Sequence, residues 1–139
     1  MNFILDSSCA LSWVFEDETS PESEKPLEWL NKGAKAFVPP LWRWEMANVL
    51  IIAERRKRIT SVEVNSHLSF FQTLPIEIDE ATVNQAWNGT RILAQAHQLT
   101  IYDAAYLELA IRRGLPLATL DTALQSACKL EKVRLATLI

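Results

Sequence analysis

Five short, mostly apolar runs separated by stretches of helical periodicity constrain this chain more than any other feature. They lie at residues 3–5, 36–38, 76–78, 116–120 and 133–136. A bounded run of that length suits a strand buried on both faces, although periodicity alone does not exclude a buried helix. Strands alternating with helices predict an α/β fold with a parallel sheet covered on both sides.

The first run, Phe3-Ile4-Leu5, stops abruptly at Asp6, Ser7 and Ser8. In open α/β sheets, ligands bind just outside the carboxyl ends of strands, so Asp6 stands where chemistry is usually placed. Ser7 or Ser8 caps a short helix over residues 10–15, and the acidic, Ser- and Pro-containing stretch 16–26 reads as a surface connection. A helix over residues 27–32 closes at Gly33, and Pro39-Pro40 ends the second strand.

The helix expected from about Leu41 to Arg56 is the most informative. Trp42, Glu45, Met46, Val49, Ile52 and Ala53 share one stripe by the i, i+3, i+4, i+7 rule. Glu45 therefore faces inward, where an ionised carboxylate is costly without a partner or a cation. Asn48, three residues on, is placed to support it with an amide. Trp42 and Trp44 fall on different faces, which suits Trp42 to the core and Trp44 to an interaction surface. The helix ends in Arg55, Arg56, Lys57 and Arg58, the densest basic cluster of the sequence.

Thr60 or Ser61 caps the next helix, which runs to Gln72. A long helix is expected over residues 81–98, with Gly89 costing about 1 kcal/mol relative to alanine. Thr100 opens another that carries Asp103 and continues to Gly114, the strand at residues 116–120 ends at Asp121, and a last helix covers residues 122–130.

Length and composition set the class. The 139 residues suit one domain, with 49% apolar and 22% charged residues and only three glycines, which excludes a disordered or low-complexity protein. Cys9 and Cys128 lack metal-ligand spacing and read as buried thiols of a reducing compartment. No basic leader precedes the apolar opening and no apolar run is long enough for a bilayer, so no membrane segment and a cytoplasmic location are expected. A formal charge of −3 argues mildly against nucleic acid. Divalent ions bound by the acids would offset it.

Each of four acids has an ordinary explanation. Asp6 and Asp121 are favoured N-cap residues, and Asp103 stands three after Thr100 as in a capping box. Those readings leave unexplained why Asp103 shares the buried stripe of Tyr106, Leu107 and Ala110, and why Glu45 faces inward. Two acids at strand ends and two facing inward from helices is a donor set for a hard cation such as Mg²⁺ or Mn²⁺. Around divalent ions, such a set is suited to phosphodiester cleavage by metal-activated water.

The segments Phe3-Ile4-Leu5-Asp6-Ser7-Ser8, Glu45-Met46-Ala47-Asn48, Tyr102-Asp103-Ala104-Ala105-Tyr106-Leu107 and Leu117-Ala118-Thr119-Leu120-Asp121 together resemble the PIN-domain nucleases. Within that family the likeness is nearest to the VapC toxins of bacterial toxin-antitoxin pairs, and it spans nearly the whole chain. It implies a single PIN domain over residues 1–139, a three-layer α/β/α sandwich with a central parallel sheet. It also implies a Mg²⁺- or Mn²⁺-dependent endoribonuclease acting on RNA, a homodimer, and a VapB-type antitoxin that covers or enters the acidic pocket.

On this resemblance Asp6, Glu45, Asp103 and Asp121 match the family's acidic positions, Thr119 its hydroxyl two residues before the last acid, and Ser7 its small polar residue after the first. Asp6 and Asp103 are then the principal metal ligands, with Glu45 and Asp121 binding through water or holding a second ion. His67 and His97 read as surface or packing residues. The cluster Arg55 to Arg58 contacts RNA phosphates or the antitoxin, or else simply complements a helix end. Two other functions share this sequence: an RNA-processing nuclease without an antitoxin, and a non-catalytic binding module. A haloacid-dehalogenase-type phosphatase is a poor fit, because Ser8 stands where a second acid is needed.

Overall fold

In a computed structural model that describes residues 1–138, four parallel strands form one sheet in the order β3-β2-β1-β4. They are β1 (Phe3–Leu5), β2 (Ala36–Val38), β3 (Ile76–Ile78) and β4 (Leu117–Ala118). Register pairs Phe3 with Ala36 and Ile4 with Leu117, so β1 runs through the middle. β1, β2 and β4 are buried along their whole length, as two covered faces require. The edge strand β3 is half-exposed, with Glu77 turned to solvent.

Two helix starts depart from expectation. The first helix, α1 (Ser7–Ser12), begins three residues early, directly after Asp6. The second, α2 (Pro21–Asn31), takes in half of the stretch read as a surface connection. Ser20 and Ser23 form a reciprocal capping box there, and Pro21 occupies the first turn, where a missing N–H costs nothing. Pro26 stands inside α2 and is buried, at the expense of one helical hydrogen bond.

The third helix, α3 (Leu41–Arg55), follows Pro40 as expected, and α4 (Ser61–Thr73) is capped by Thr60 in a capping box with Glu63. The single helix expected over residues 81–98 is two: α5 (Thr82–Gln85) and α6 (Gly89–His97). Asn88, at φ −113° and ψ −104°, turns the chain between them, so Gly89 opens a helix and interrupts none. α7 (Ile101–Arg113) is closed by Gly114 at φ +64°, a left-handed position that suits glycine. α8 (Thr122–Leu130) ends the helical set. The fifth strand reduces to one bridge, Leu117 to Leu135, because residues 136–138 curl into a short 3₁₀ turn that packs on α2.

The core forms where α1, α3, α7 and α8 close over the sheet, with Phe3, Ile4, Leu5, Leu50, Tyr106, Leu107, Leu109 and Leu124 fully buried. Cys9 and Cys128 are buried free thiols. Among the described residues, no helix is long and apolar enough to cross a membrane.

One buried ion network ties the sheet edge to α7. Asp79, 4% exposed just after β3, binds Arg112 Nη2 through Oδ1 at 3.1 Å and Arg113 Nε through Oδ2 at 2.8 Å. Glu108 holds Arg112 from one turn earlier on α7 at 2.8 Å. Burial alone would raise the Asp79 carboxyl, but hydrogen bonds and charge from the two arginines outweigh it and bring the pKa down to about 2. A depressed carboxylate contributes stability in full above its unfolded value of 3.8 and loses it as the pH falls toward about 2. Acid unfolding should therefore cost the parent chain roughly 2 kcal/mol more between pH 5 and pH 2 than it costs Asp79→Asn. Denaturant melts of both proteins across that range check it, and equal losses would contradict the linkage.

Candidate metal centre

The site is built around a carboxylate that the sheet buries. Asp6 ends the central strand, its N–H donating to Ala118 O at 3.0 Å, and is 4% exposed. It occupies the N-cap position of α1 without making a side-chain cap bond, so the ordinary reading of this acid does not account for it. Its Oδ2 instead accepts from Ser8 Oγ at 2.6 Å and from Thr119 Oγ1 at 2.7 Å. Both hydroxyls are themselves pinned: Leu120 N donates to Ser8 Oγ at 2.9 Å, and Asp121 N to Thr119 Oγ1 at 3.1 Å.

Asp121 does cap α8, accepting from Leu124 N through Oδ1 at 2.9 Å. Asp103 sits half-buried in the first turn of α7, and its N–H donates to Thr100 Oγ1 at 3.1 Å. The capping box expected there is one-sided, which leaves the Asp103 carboxylate free of that duty. Glu45 is half-buried, because the deepest stripe of α3 is Trp42, Met46, Leu50 and Ala53. Glu45 therefore lies at the margin of the buried face and reaches the pocket, where Oε1 accepts from the Tyr106 phenol at 2.5 Å.

The acids act on one another. Burial raises the Asp6 pKa, the Ser8 and Thr119 hydroxyls oppose that rise, and the charges of Asp103 and Asp121 add to it. Glu45 is pushed up to about 7 by burial, relieved in part by Tyr106 and pushed further by Asp6 and Asp103. Asp103 is raised by burial and then by Asp121, with Thr100 working the other way. Burial and the charges of Asp6 and Glu45 keep the Tyr106 phenol protonated far above its usual range. Among the described residues, none of the four acids forms a salt bridge, in contrast to Asp79 and Glu108. Their oxygens share one electrostatic pocket without forming a closed cage: no group of three or more His, Cys, Asp or Glu among the described residues stands ready to grip an ion.

The donor set nevertheless fits a divalent cation. It consists of carboxylate and hydroxyl oxygens, the hard ligands that Mg²⁺ and Mn²⁺ prefer, and among the described residues the buried Asp6 carboxylate has only hydroxyls as hydrogen-bond partners.

The remaining expected residues divide. Ser7 is half-buried, with its hydroxyl beside the Tyr106 phenol. Asn48 is exposed and lines an open groove of about 560 Å³ with Leu41, Trp44, Glu45, Ala47, Ile51 and Tyr102, but among the described residues no hydrogen bond joins it to Glu45. Arg55, Arg56 and Lys57 are exposed at the end of α3. Arg58 is not one of a free set: it binds Asp17 at 2.6 Å and Glu18 at 3.0 Å and stacks over Phe15. His67 packs edge-on to Phe15, and His97 bonds Glu131, so neither joins the acids. Trp42 is buried and Trp44 is 74% exposed, as their opposite faces predict.

Sequence reasoning passed over two site residues, Ser8 and Tyr106. Both carried a signal: Ser8 stands two residues after Asp6, and Tyr106 shares the inward stripe of Asp103.

The family model described as PIN domain matches residues 3–130. A curated relative, Ribonuclease VapC3 of Pyrobaculum aerophilum, is 28% identical over 128 residues, covering 89% of this chain and 92% of the relative. Among solved structures, VapBC2 from Rickettsia felis, bound to a DNA fragment from their promoter, superposes with a TM-score of 0.66 at 16% identity and 97% coverage of each chain. Mycobacterium tuberculosis VapC20, described as a Sarcin-Ricin loop cleaving toxin, gives 0.63 at 11% identity over 90% of this chain and 94% of that one. At such identities the structures speak for the shared fold.

Clustered carboxylates that repel one another hold the metal-free chain below its attainable stability. In the presence of chelator, Asp103→Asn should therefore raise unfolding stability by on the order of 1 kcal/mol. Thermal or urea melts decide this, and a less stable variant would show that Asp103 is held by contacts of its own.

Proposed function

Since the chain belongs to the PIN domain family, we propose that it is a metal-dependent endoribonuclease, the toxin half of a VapBC-type toxin-antitoxin pair. The observation that carries this reading is the burial of Asp6, on which the charges of Asp103 and Asp121 act and whose own charge acts on Glu45, with no cationic side chain bonded to it among the described residues. A protein gains nothing from that arrangement unless a cation joins it.

Asp6 and Asp103 are the principal ligands of a Mg²⁺ or Mn²⁺ ion, and Glu45 and Asp121 complete the set. The chemistry that such a cation supplies is activation of water for attack on a phosphodiester and neutralisation of charge on the departing oxygen. The chain's own residues do the rest. The Thr119 and Ser8 hydroxyls orient Asp6, and Asp121 holds the start of α8 with one oxygen while its other oxygen stays available. Both histidines are engaged away from the acids, His67 against Phe15 and His97 with Glu131, and neither is assigned the role of a base.

RNA is the substrate, and Arg55, Arg56 and Lys57 are the cations offered to its phosphates at the end of α3. Arg58 is already committed to Asp17 and Glu18. The antitoxin partner is supported by the Rickettsia felis complex, whose VapBC2 pair has the same toxin fold. The homodimer implied by the resemblance belongs to the same reading. Exposed Trp44, Ile51 and Tyr102, beside Glu45, offer it an apolar surface. The setting is cytoplasmic.

Purified protein should cut RNA with Mg²⁺ or Mn²⁺, stop in excess chelator and resume when metal returns. Asp103→Asn should lower cleavage by about 100-fold or more, a loss of about 2.7 kcal/mol in transition-state stabilisation, while circular dichroism stays unchanged. Undiminished cleavage by that variant would remove the site.

A further inference from the structure

We propose that the buried hydroxyls of Ser8, Thr119 and Tyr106 make the acidic pocket selective for a small divalent cation, by reserving one oxygen of Asp6 and one of Glu45 and leaving a single oxygen on each to ligate. The inference rests on the metal-site reading above and adds to it a reason for the choice of ion.

Asp6 Oδ2 accepts two hydrogen bonds, at 2.6 Å from Ser8 and 2.7 Å from Thr119. Each hydroxyl has one proton, and here each is aimed at the same carboxylate oxygen while a backbone N–H occupies the hydroxyl's lone pair. The two hydroxyls, 3.3 Å apart, form a rigid fork on one side of the carboxylate. Among the described residues, no hydrogen bond reaches Asp6 Oδ1.

Glu45 repeats the pattern from the other side of the pocket. Its Oε1 takes the only phenolic proton of Tyr106, whose ring is 0% exposed in the core and has no room to swing aside. Glu45 Oε2 has no hydrogen bond among the described residues. Both acids are thus tethered through one oxygen and free at the other.

That difference matters to a cation. Ca²⁺ gathers six to eight oxygens and commonly takes both oxygens of a carboxylate, whereas Mg²⁺ requires six in a tighter octahedron and uses one oxygen per carboxylate. With one oxygen of Asp6 taken by two hydroxyls and one of Glu45 by a third, these two acids favour one-oxygen ligation and so disfavour the larger ion. Tyr106 and Ser8 are positioning residues in this account, since they act through Glu45 and Asp6.

Calorimetric titration of Mg²⁺, Mn²⁺ and Ca²⁺ into the full chain, without RNA, tests this apart from catalysis. The parent protein should bind Mn²⁺ more tightly than Ca²⁺ by about tenfold or more, equivalent to about 1.4 kcal/mol. Tyr106→Phe keeps the ring and removes one hydroxyl; it should bring the two affinities to within about threefold, about 0.7 kcal/mol, with an unchanged circular dichroism spectrum. Ser8→Ala should shift the ratio the same way and Ser8→Thr should restore it. Parental discrimination in both Tyr106→Phe and Ser8→Ala overturns the inference and leaves the nuclease reading standing. A parent chain that binds no divalent ion overturns both.

Discussion

Everything at this site follows from burying one carboxylate at the end of the central strand. Asp6 is held by hydroxyls, whose dipoles offset part of the desolvation cost but carry no charge to cancel its own. Like charges from α3, α7 and the start of α8 then raise the cost further. Asp79 shows the same chain solving the opposite problem. There two guanidinium groups surround an equally buried acid and pull its pKa down. One acid is neutralised by charged partners, and the other has only hydroxyls as side-chain partners among the described residues.

Helix α7 joins these two solutions. Its first turns carry Asp103 and Tyr106 to the acidic pocket, and its last turns carry Glu108, Arg112 and Arg113 to the latch on Asp79. Buried continuously from Ala104 to Ala110, it behaves as the central helix of the domain, apolar on nearly every side. The latch fixes its far end to the edge of the sheet, so the near end cannot drift from β1 without breaking buried ion pairs. The acids are held against mutual repulsion by packing and by a charge network lying outside the site.

Much of this was legible in the residues. Apolar runs at residues 3–5, 36–38 and 76–78 are strands because each is short, bounded and rich in Phe, Ile, Leu or Val, and the helix over Leu41–Arg55 follows its periodicity to within one residue. The misreadings have local causes. Pro26 looked like a boundary, yet its ring is buried in the middle of α2 and the capping box at Ser20 starts the helix earlier. The expected long helix breaks at Asn88-Gly89, a turn-marking dipeptide whose glycine is read only as a cost to helix continuity. Residues 133–136 are apolar enough for a strand, but only Leu135 meets β4 before the chain turns back on α2.

Sequence alone determined the alternation of strand and helix and part of the inward stripe of α3, where Trp42, Met46 and Ala53 are buried as expected, Leu50 is buried though the pattern left it out, and Glu45, Val49 and Ile52 are only half-buried. Tertiary structure decided which oxygen of Asp6 and of Glu45 is tethered and which stays free. It also decided that Arg58 is spent on Asp17 and Glu18, and that Asp79 belongs to a latch and not to the site. Apart from the local bonds of Ser8 to Asp6 and Leu124 to Asp121, these outcomes join distant residues, from 33 positions apart for Arg112 with Asp79 to 113 for Thr119 with Asp6. No local pattern encodes such pairings, since only the packing of helices against the sheet sets which distant hydroxyl or guanidinium arrives within hydrogen-bond reach.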